Sequence, residues 1–502
     1  MNGGTIYELL HSLQQRGVRL WVEEGRVRFQ GDQATLSPTE LQGLRARKAE
    51  ILEFLETARP AVRAPLRPRA FGQPIPLAGL QRAALALGAD TPHPRSCAAG
   101  VRILGPLSFR ILENSLRALC ARHEALRTRI VMVGGNAIQE VNAFARHHLN
   151  IEDLRTLKRE QAEATLMQLI REFREEKINL ATDPLFSSKL FKLSAQEHVL
   201  VLSIDHMITD AVSNAIILAD LWAMYEHDAG RTPLCLARIP IQYPDYAVWQ
   251  RETYGAWLEA HGPYWKNRLA DAPHIALPFD SSSNSPGRRT DAQIDFMVVD
   301  SGYVEFRRLA QRYRTSLSLM ILTAYVAAIS LWRDTNDFLL EFVDTGRWCA
   351  DLAYTVGWLV EHLVLRPQIA DNDTLLDLHH RVRNEFCSAS AHRDFGRIPC
   401  LLPRYTADLY FNWLPSELGY PKSVTSSMPR HRILLRPFPL KSTEHLPFAL
   451  GAFFLDTGAC IRATLAYSTV RFTKDSVEHL ASKLRSLTLQ LGQNPKAPIR
   501  GD

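Results

Sequence analysis

Residues 198–204 read His-Val-Leu-Val-Leu-Ser-Ile, a run with no acid, lysine or arginine in it. A continuous apolar run of this length predicts a strand buried on both faces. It ends in Asp205-His206-Met207-Ile208-Thr209-Asp210. From Ala211 to Glu226, apolar Val212, Ala215, Ile216, Ala219 and Trp222 then recur at helical spacing. A buried strand passing through a short polar loop into a helix demands a layered core of sheet and helices. It also presents His206 and Asp210 on a loop, where a rigid scaffold can hold reactive side chains. An imidazole titrates near pH 6.5, so His206 can accept or return a proton at neutral pH.

The spacing H-x-x-x-D is weak evidence by itself. With 17 histidines in the chain, about one such string arises by chance. The flanking strand and helix give this one its weight. His147-His148 followed by Glu152 has a similar spacing but no apolar strand ahead of it, and His379-His380 has no acid in register.

Other features exclude whole classes of function. The chain of 502 residues is long enough for two to four domains. Its seven cysteines are dispersed, without a CxxC pair or zinc-type Cys/His spacing, so neither a disulfide scaffold nor a metal site is expected. Such cysteine usage suits a reducing cytoplasm. No basic-then-apolar leader opens the chain. The longest uncharged run, Thr315 to Trp332, carries five Ser or Thr residues and predicts a buried core helix, not a membrane span. The net charge of +6 is unevenly placed. Residues 1–56 carry −1, and residues 57–89 hold five arginines and no acid. A nucleic-acid surface would spread its charge over a folded face, so no nucleic-acid partner is expected. The basic stretch, with Pro60, Pro65, Pro68 and Pro74, reads as a semi-extended, solvated linker over residues 58–73.

Residues 1–57 form a small module of their own. Thr5-Ile6-Tyr7-Glu8 is a capping box ahead of an apolar stripe, and Ser37-Pro38-Thr39-Glu40 is a second one. Between them, Val18 to Val22 alternates as a strand, Glu24-Gly25 makes a turn, and Arg26 to Gln30 returns. A helix–hairpin–helix unit of this size binds more readily than it catalyses, and its open strand edge can accept a peptide strand. Arg16-Gly17-Val18-Arg19-Leu20-Trp21-Val22 and Leu44 to Leu52 resemble the TubC-type β-hairpin docking domains of nonribosomal peptide synthetases. The resemblance implies a surface for the C-terminal tail of an upstream carrier protein. Arg19, Trp21, Arg26 and Arg28 are its candidate residues, the last two attracting acidic groups.

The rest of the chain carries ordered motifs. Pro76 to Arg82 is similar to an "LSxAQ" segment, Arg122-His123-Glu124-Ala125-Leu126-Arg127-Thr128 to "RHExLRT", and Asp205 to Ser213 to "HHxxxDGxS". Tyr243 to Trp249 is similar to "YxDYAxW", Tyr264 to Leu269 to "YWxxxL", and Gly357 to Arg366 to "GxFVNTLxLR". His392-Arg393-Asp394 stands for "HQD" and Phe411-Asn412-Trp413 for "FNY". Together these resemble the condensation domains of nonribosomal peptide synthetases, in the chloramphenicol acetyltransferase-like superfamily.

That resemblance implies a mixed α+β or α/β fold, a two-lobed pseudo-dimer. The N-lobe would cover residues 74–250, the C-lobe 251–492 and a tail 493–502. A phosphopantetheine arm, supplied by a carrier protein and not bound as a resident cofactor, would reach His206 through a tunnel. The acceptor would be an amine or hydroxyl, free or carrier-borne. His206 is the expected general base or positioning residue, and Asp210 the loop organiser. Arg127 is the first expected partner of Asp210. Ser213 belongs to the motif, and Glu361 replaces the usual Asn on the tunnel floor. Direct transfer is expected, with no Ser or Cys nucleophile.

Asp205 replaces the first motif His. Asp205-x4-Asp210-x2-Ser213 also satisfies the "DxxxxDxxS" pattern of heterocyclization domains, which lack the His present here. The alternatives to a condensing acyltransferase are therefore a heterocyclization domain and a non-catalytic carrier-binding scaffold. No adenylation or carrier motif follows Gly492, so a free-standing, chain-releasing, monomeric enzyme is expected.

Overall fold

The computed structural model describes residues 19–23, 26–30, 42, 44–48, 51–52, 65–87, 99–144, 147–176, 178–273, 279–280, 291–313, 315–393, 408–414, 434–437 and 448–500. The predicted buried strand is Glu197–Ile204, and every residue after Glu197 in it is buried. It is the middle strand of a five-stranded sheet. The order is Leu434–Pro437, Ala99–Leu104, Glu197–Ile204, Phe186–Lys192 and Leu149–Asp153. Helices Phe109–Arg122 and Ala211–Asp228 cover one face, packing Leu112, Leu116, Ile217 and Leu221 on Leu200 and Leu202. Helix Arg159–Glu175 covers the other, packing Leu166 and Ile170 on Val199 and Val201. Helices on both faces explain why the strand reads as continuous apolar sequence and does not alternate.

A second, mixed sheet has six strands. Their order is Asp291–Val299, Ile461–Ser468, Leu450–Asp456, Leu409–Leu414, Leu340–Asp344 and Glu361–Leu365. Helices Leu317–Arg333, Leu375–Ala391 and Lys474–Gln493 share its apolar core. Leu317–Arg333 is the predicted core helix. Its residues from Leu319 to Ser330 are buried without a break, as a helix that is apolar all round must be. Ser316 caps its start by accepting from the Leu319 N–H, and Asp334 ends it in the left-handed conformation. Among the described residues, no single helix is long and apolar enough to cross a membrane.

Core membership changes at Thr253. Tyr246 and Trp249 belong to the first core, Trp257 and Trp265 to the second. The second half also lends pieces to the first. Leu434–Pro437, far into the second half, pairs antiparallel with Ala99–Leu104 of the first. Cys349, Leu352, Val356 and Leu359 join the first half's core. The first half is therefore completed by chain from the second.

At the N-terminus, Arg19–Glu23 pairs antiparallel with Arg26–Gln30. Arg19 stands opposite Gln30, Trp21 opposite Arg28 and Glu23 opposite Arg26. Directly opposed residues share a face, so positions 19, 21, 26 and 28 lie on one side of the hairpin. The predicted first helix and most of the second fall outside the described residues.

The linker needs a correction. Arg69 is not solvated: its guanidinium meets Asp245 at 2.6 Å and Glu124 at 2.9 Å. Burial opposes its charge, but the bonds to Glu124 and Asp245 outweigh that and raise its pKa. Leu66 packs on the first core. The linker is pinned to the body from Leu66 onward because Glu124 and Asp245, distant in sequence, converge there.

Two histidines tie stability to pH. Burial pushes His379 down to about 4, and its Nδ1 lies 3.0 Å from Thr323 Oγ1, whose hydroxyl donates to the Leu319 C=O. His147, against Ser188 and Phe186, is also pushed by burial to about 4. The unfolded chain takes these protons near pH 6.5, while the fold resists them until about pH 4. The stability they contribute is complete above pH 6.5 and is lost as pH falls from 6.5 to 4. For His379 this amounts to about 3 kcal/mol. Urea midpoints measured at pH 7 and pH 4.5 should fall further apart in the parent chain than in His379→Gln. Equal differences in both proteins would remove His379 as the cause.

Candidate functional site

His206 opens the short 3-10 turn His206–Ile208, directly after the central strand. The residues on either side of it are locked. The Asp205 N–H donates to the Leu185 C=O at 2.8 Å, and Asp205 Oδ1 accepts from the Met207 N–H at 2.9 Å. The Met207 C=O accepts from Gln81 Nε2 at 2.7 Å. Gln81, the glutamine of the first motif, thus ties the loop to the helix Gly79–Leu87. Asp205 and Met207 are buried while His206 is partly exposed. This backbone holds a partly exposed histidine rigidly at the root.

Asp205 has a structural use that its sequence position concealed. It is the N-cap of the turn that carries His206, a role at which Asp is among the best residues.

Asp210 caps the helix Ala211–Asp228, with Oδ1 accepting from the Ser213 N–H at 2.7 Å. It is 1% exposed. Its remaining bonds reach across to the second half. Arg347 meets it in a two-pronged pair, Nη1 to Oδ2 and Nη2 to Oδ1, both at 3.0 Å. The N–H groups of Leu359 and Val360 donate to Oδ2 at 3.0 and 3.2 Å. A buried carboxylate satisfied by a forked guanidinium and three N–H groups is a joint between halves.

The expected partner, Arg127, is elsewhere. It ends the turn Glu124–Arg127, donates to the Asn142 C=O and lies 3.5 Å from Glu124. The geometry reassigns the role to Arg347, which sequence reasoning missed. Its signal was the string Asp344-Thr345-Gly346-Arg347 after a strand. Gly346 has φ +66°, and a Cβ there would lie 1.6 Å from the Leu359 carbonyl oxygen. Only glycine turns the chain that sharply and lets Arg347 face Asp210.

Ser213 completes the joint. Its hydroxyl donates to the Gly357 C=O at 2.9 Å and accepts from the Gly357 N–H at 3.0 Å and Arg347 Nη2 at 2.9 Å. Fully engaged and buried, this oxygen is not a nucleophile. Gly357 itself is pressed on Tyr243, and a Cβ would stand 2.2 Å from the ring. Burial, then the Asp210 charge, raises the Tyr243 phenol well above its ordinary pKa.

Other motif residues are supports. Asp245 caps the helix Tyr243–Glu252 through the Gln242 N–H and also takes Arg69. Arg122 and His123 both meet Asp220, at 2.7 and 2.9 Å. His392 stacks on Tyr264 at 3.8 Å. Glu361 is buried at the start of the edge strand, opposite Asp344 in register. His147 precedes the strand Leu149–Asp153 and is bonded to buried Ser188.

Comparisons place this geometry among known proteins. A family model described as "Condensation domain" matches residues 73–501, and one described as "TubC N-terminal docking domain" matches residues 6–57. The chain is 30% identical over 407 residues to a linear gramicidin synthase of Brevibacillus parabrevis, covering 76% of this chain and 8% of that protein. It is 27% identical over 419 residues to surfactin synthase subunit 1 of Bacillus subtilis (strain 168), covering 79% of this chain and 11% of that protein. The chain therefore spans about a tenth of the length of these relatives. Among solved structures it is similar to the EpoB NRPS cyclization-docking bidomain from Sorangium cellulosum. The TM-score is 0.71 at 19% identity, covering 98% of this chain and 99% of that one. It is also similar to a structure described as the molecular basis for condensation domain-mediated chain release from the enacyloxin polyketide synthase. There the TM-score is 0.68 at 22% identity, covering 99% of this chain and 98% of that one. Both likenesses concern the fold.

Proposed function

Because the chain belongs to the condensation domain family and carries a TubC N-terminal docking domain ahead of that unit, we propose that it joins an acyl or peptidyl group to an acceptor within a natural-product assembly line. The donor is a thioester on the phosphopantetheine arm of a carrier protein. The acceptor is an amine or a hydroxyl. The observation that carries this reading is an intact His206, partly exposed and held between a locked Asp205 and Met207, beside the joint made by Asp210 and Arg347.

The residues suit direct transfer. The acceptor nitrogen or oxygen attacks the thioester carbonyl, the new C–N or C–O bond forms, and the C–S bond breaks. His206 takes the acceptor's proton and returns one to the departing thiolate. Neither Ser213, held by three bonds, nor Cys120, whose thiol is pushed up to about 12 by burial, supports a covalent intermediate.

Asp205 fits this reading, because its Oδ1 serves the turn that carries His206. The capping role weakens Asp205 as support for a non-catalytic scaffold, and the presence of His206 speaks against heterocyclization. Release of the product from the assembly line is the form of transfer we favour, in line with the enacyloxin neighbour described above.

The docking face predicts a selective defect. With Arg26→Glu and Arg28→Glu together, transfer from a carrier bearing its acidic C-terminal tail should slow roughly tenfold, as for about 1.4 kcal/mol of lost docking. Transfer from a small acyl thioester should be unchanged. Intact mass spectrometry of both reactions provides the check. Equal slowing of both donors would mean that the hairpin does not dock the carrier.

A further inference from the structure

The histidine of the loop and its aromatic neighbour come from different halves of the chain. His206 follows the central strand of the first half, while Trp358 precedes the edge strand Glu361–Leu365 of the second. Their rings stand 4.4 Å apart with a 45° tilt. The backbone on both sides of Trp358 is held by the helix that starts just after His206. Gly357 exchanges two bonds with Ser213, and Leu359 and Val360 donate to Asp210. The indole N–H of Trp358 is buried and has no hydrogen-bond partner among the described residues. A buried indole N–H ordinarily finds a partner, which then helps to place the ring. This one is placed by its flanking backbone, and what it offers is a ring face.

We propose that Trp358 is a positioning residue for His206. The joint of Asp210, Ser213 and Arg347 sets the indole as a wall against the imidazole, which keeps the histidine in one productive rotamer. His206 is then competent only while the two halves are closed. The polar network acts on the chemistry through this contact and need not touch the substrate. The inference rests on the assignment of proton transfer to His206. An ångström of misplacement at a reacting group is worth on the order of 10²-fold in rate, which sets the expected size.

The test is made in the full chain, with an acyl-loaded carrier as donor and a simple primary amine as acceptor. Trp358→Ala should lower kcat by about 10²-fold while the KM for the carrier stays within about twofold. Trp358→Phe keeps a flat ring and loses only an unpartnered N–H, so it should restore kcat to within about threefold of the parent. In a His206→Ala background, Trp358→Ala should cost nothing more. An unchanged kcat in Trp358→Ala, or an equal loss with and without His206, overturns the proposal. If Trp358→Ala fails to fold by circular dichroism, Trp358→Phe and Trp358→Leu are compared instead. Both fill the space, so a fast Phe and a slow Leu variant support the contact, and equal rates overturn it. Parent-like kcat in His206→Ala alone would overturn the assignment of His206 itself. A dead His206→Ala with a fully active Trp358→Ala overturns only the wall.

Discussion

Arg347→Ala is expected to destabilise the fold by about 3–5 kcal/mol, at the top of the range for a single substitution. The pair is almost fully buried, with side chains 5% and 1% exposed. Removing the guanidinium leaves the Asp210 charge in the interior with only the N–H groups of Ser213, Leu359 and Val360. Ser213 and the Thr355 carbonyl lose a donor at the same time. Arg347→Lys should recover only part of the loss, because one ammonium cannot reach two carboxylate oxygens, a hydroxyl and a carbonyl in the same plane. Combining Arg347→Met with Asp210→Asn should cost less than the sum of the two single changes, since neither charge is then left alone. Chemical denaturation of these variants beside the parent measures this. A loss below about 1 kcal/mol for Arg347→Ala would mean the pair behaves like a surface bridge and does not join the halves.

What was legible in the sequence was local. The strand Glu197–Ile204 showed itself through an apolar run, and Leu317–Arg333 through its unbroken apolar stretch. These patterns reflect burial on both faces or all round, which sequence records directly. The helix Ala211–Asp228 is present, but of the face read for it only Val212 is buried: Ala215, Ile216, Ala219 and Trp222 are half-buried, and Ile217, Leu218, Leu221 and Met224 carry the packing. The partner of Asp210 was not legible. Arg347 lies 137 residues away, and no periodicity reports a contact between halves. Arg127 drew attention because it sat in a motif, yet its guanidinium is spent on a local turn. Asp205 stood out as a second acid beside a histidine. Its role as an N-cap follows from a rule available at the outset, but only once the turn His206–Ile208 is known. Arg69 looked solvated because its own stretch has no acids. The acids that bind it, Glu124 and Asp245, arrive from two other motifs. In each case the missed feature is a bond that only the folded chain brings together.

Replacement of His206 by alanine should lower the rate of acyl transfer by about 10²–10⁴-fold, the usual worth of a positioned acid–base group. The substitution removes a partly exposed ring from a loop held by Asp205 and Met207, so the fold and the binding of the carrier should survive it. Loss of rate with intact binding separates a chemical role from a structural one, and it separates a condensing enzyme from a scaffold that merely bridges carriers. The decisive measurement is a single turnover: the full chain and its His206→Ala variant, each mixed with an acyl-loaded carrier and an amine acceptor, followed by intact mass of the carrier. The account predicts that the parent chain unloads the carrier and forms the amide, while the variant leaves the carrier loaded over the same interval. Unloading at the parent rate by His206→Ala would contradict it.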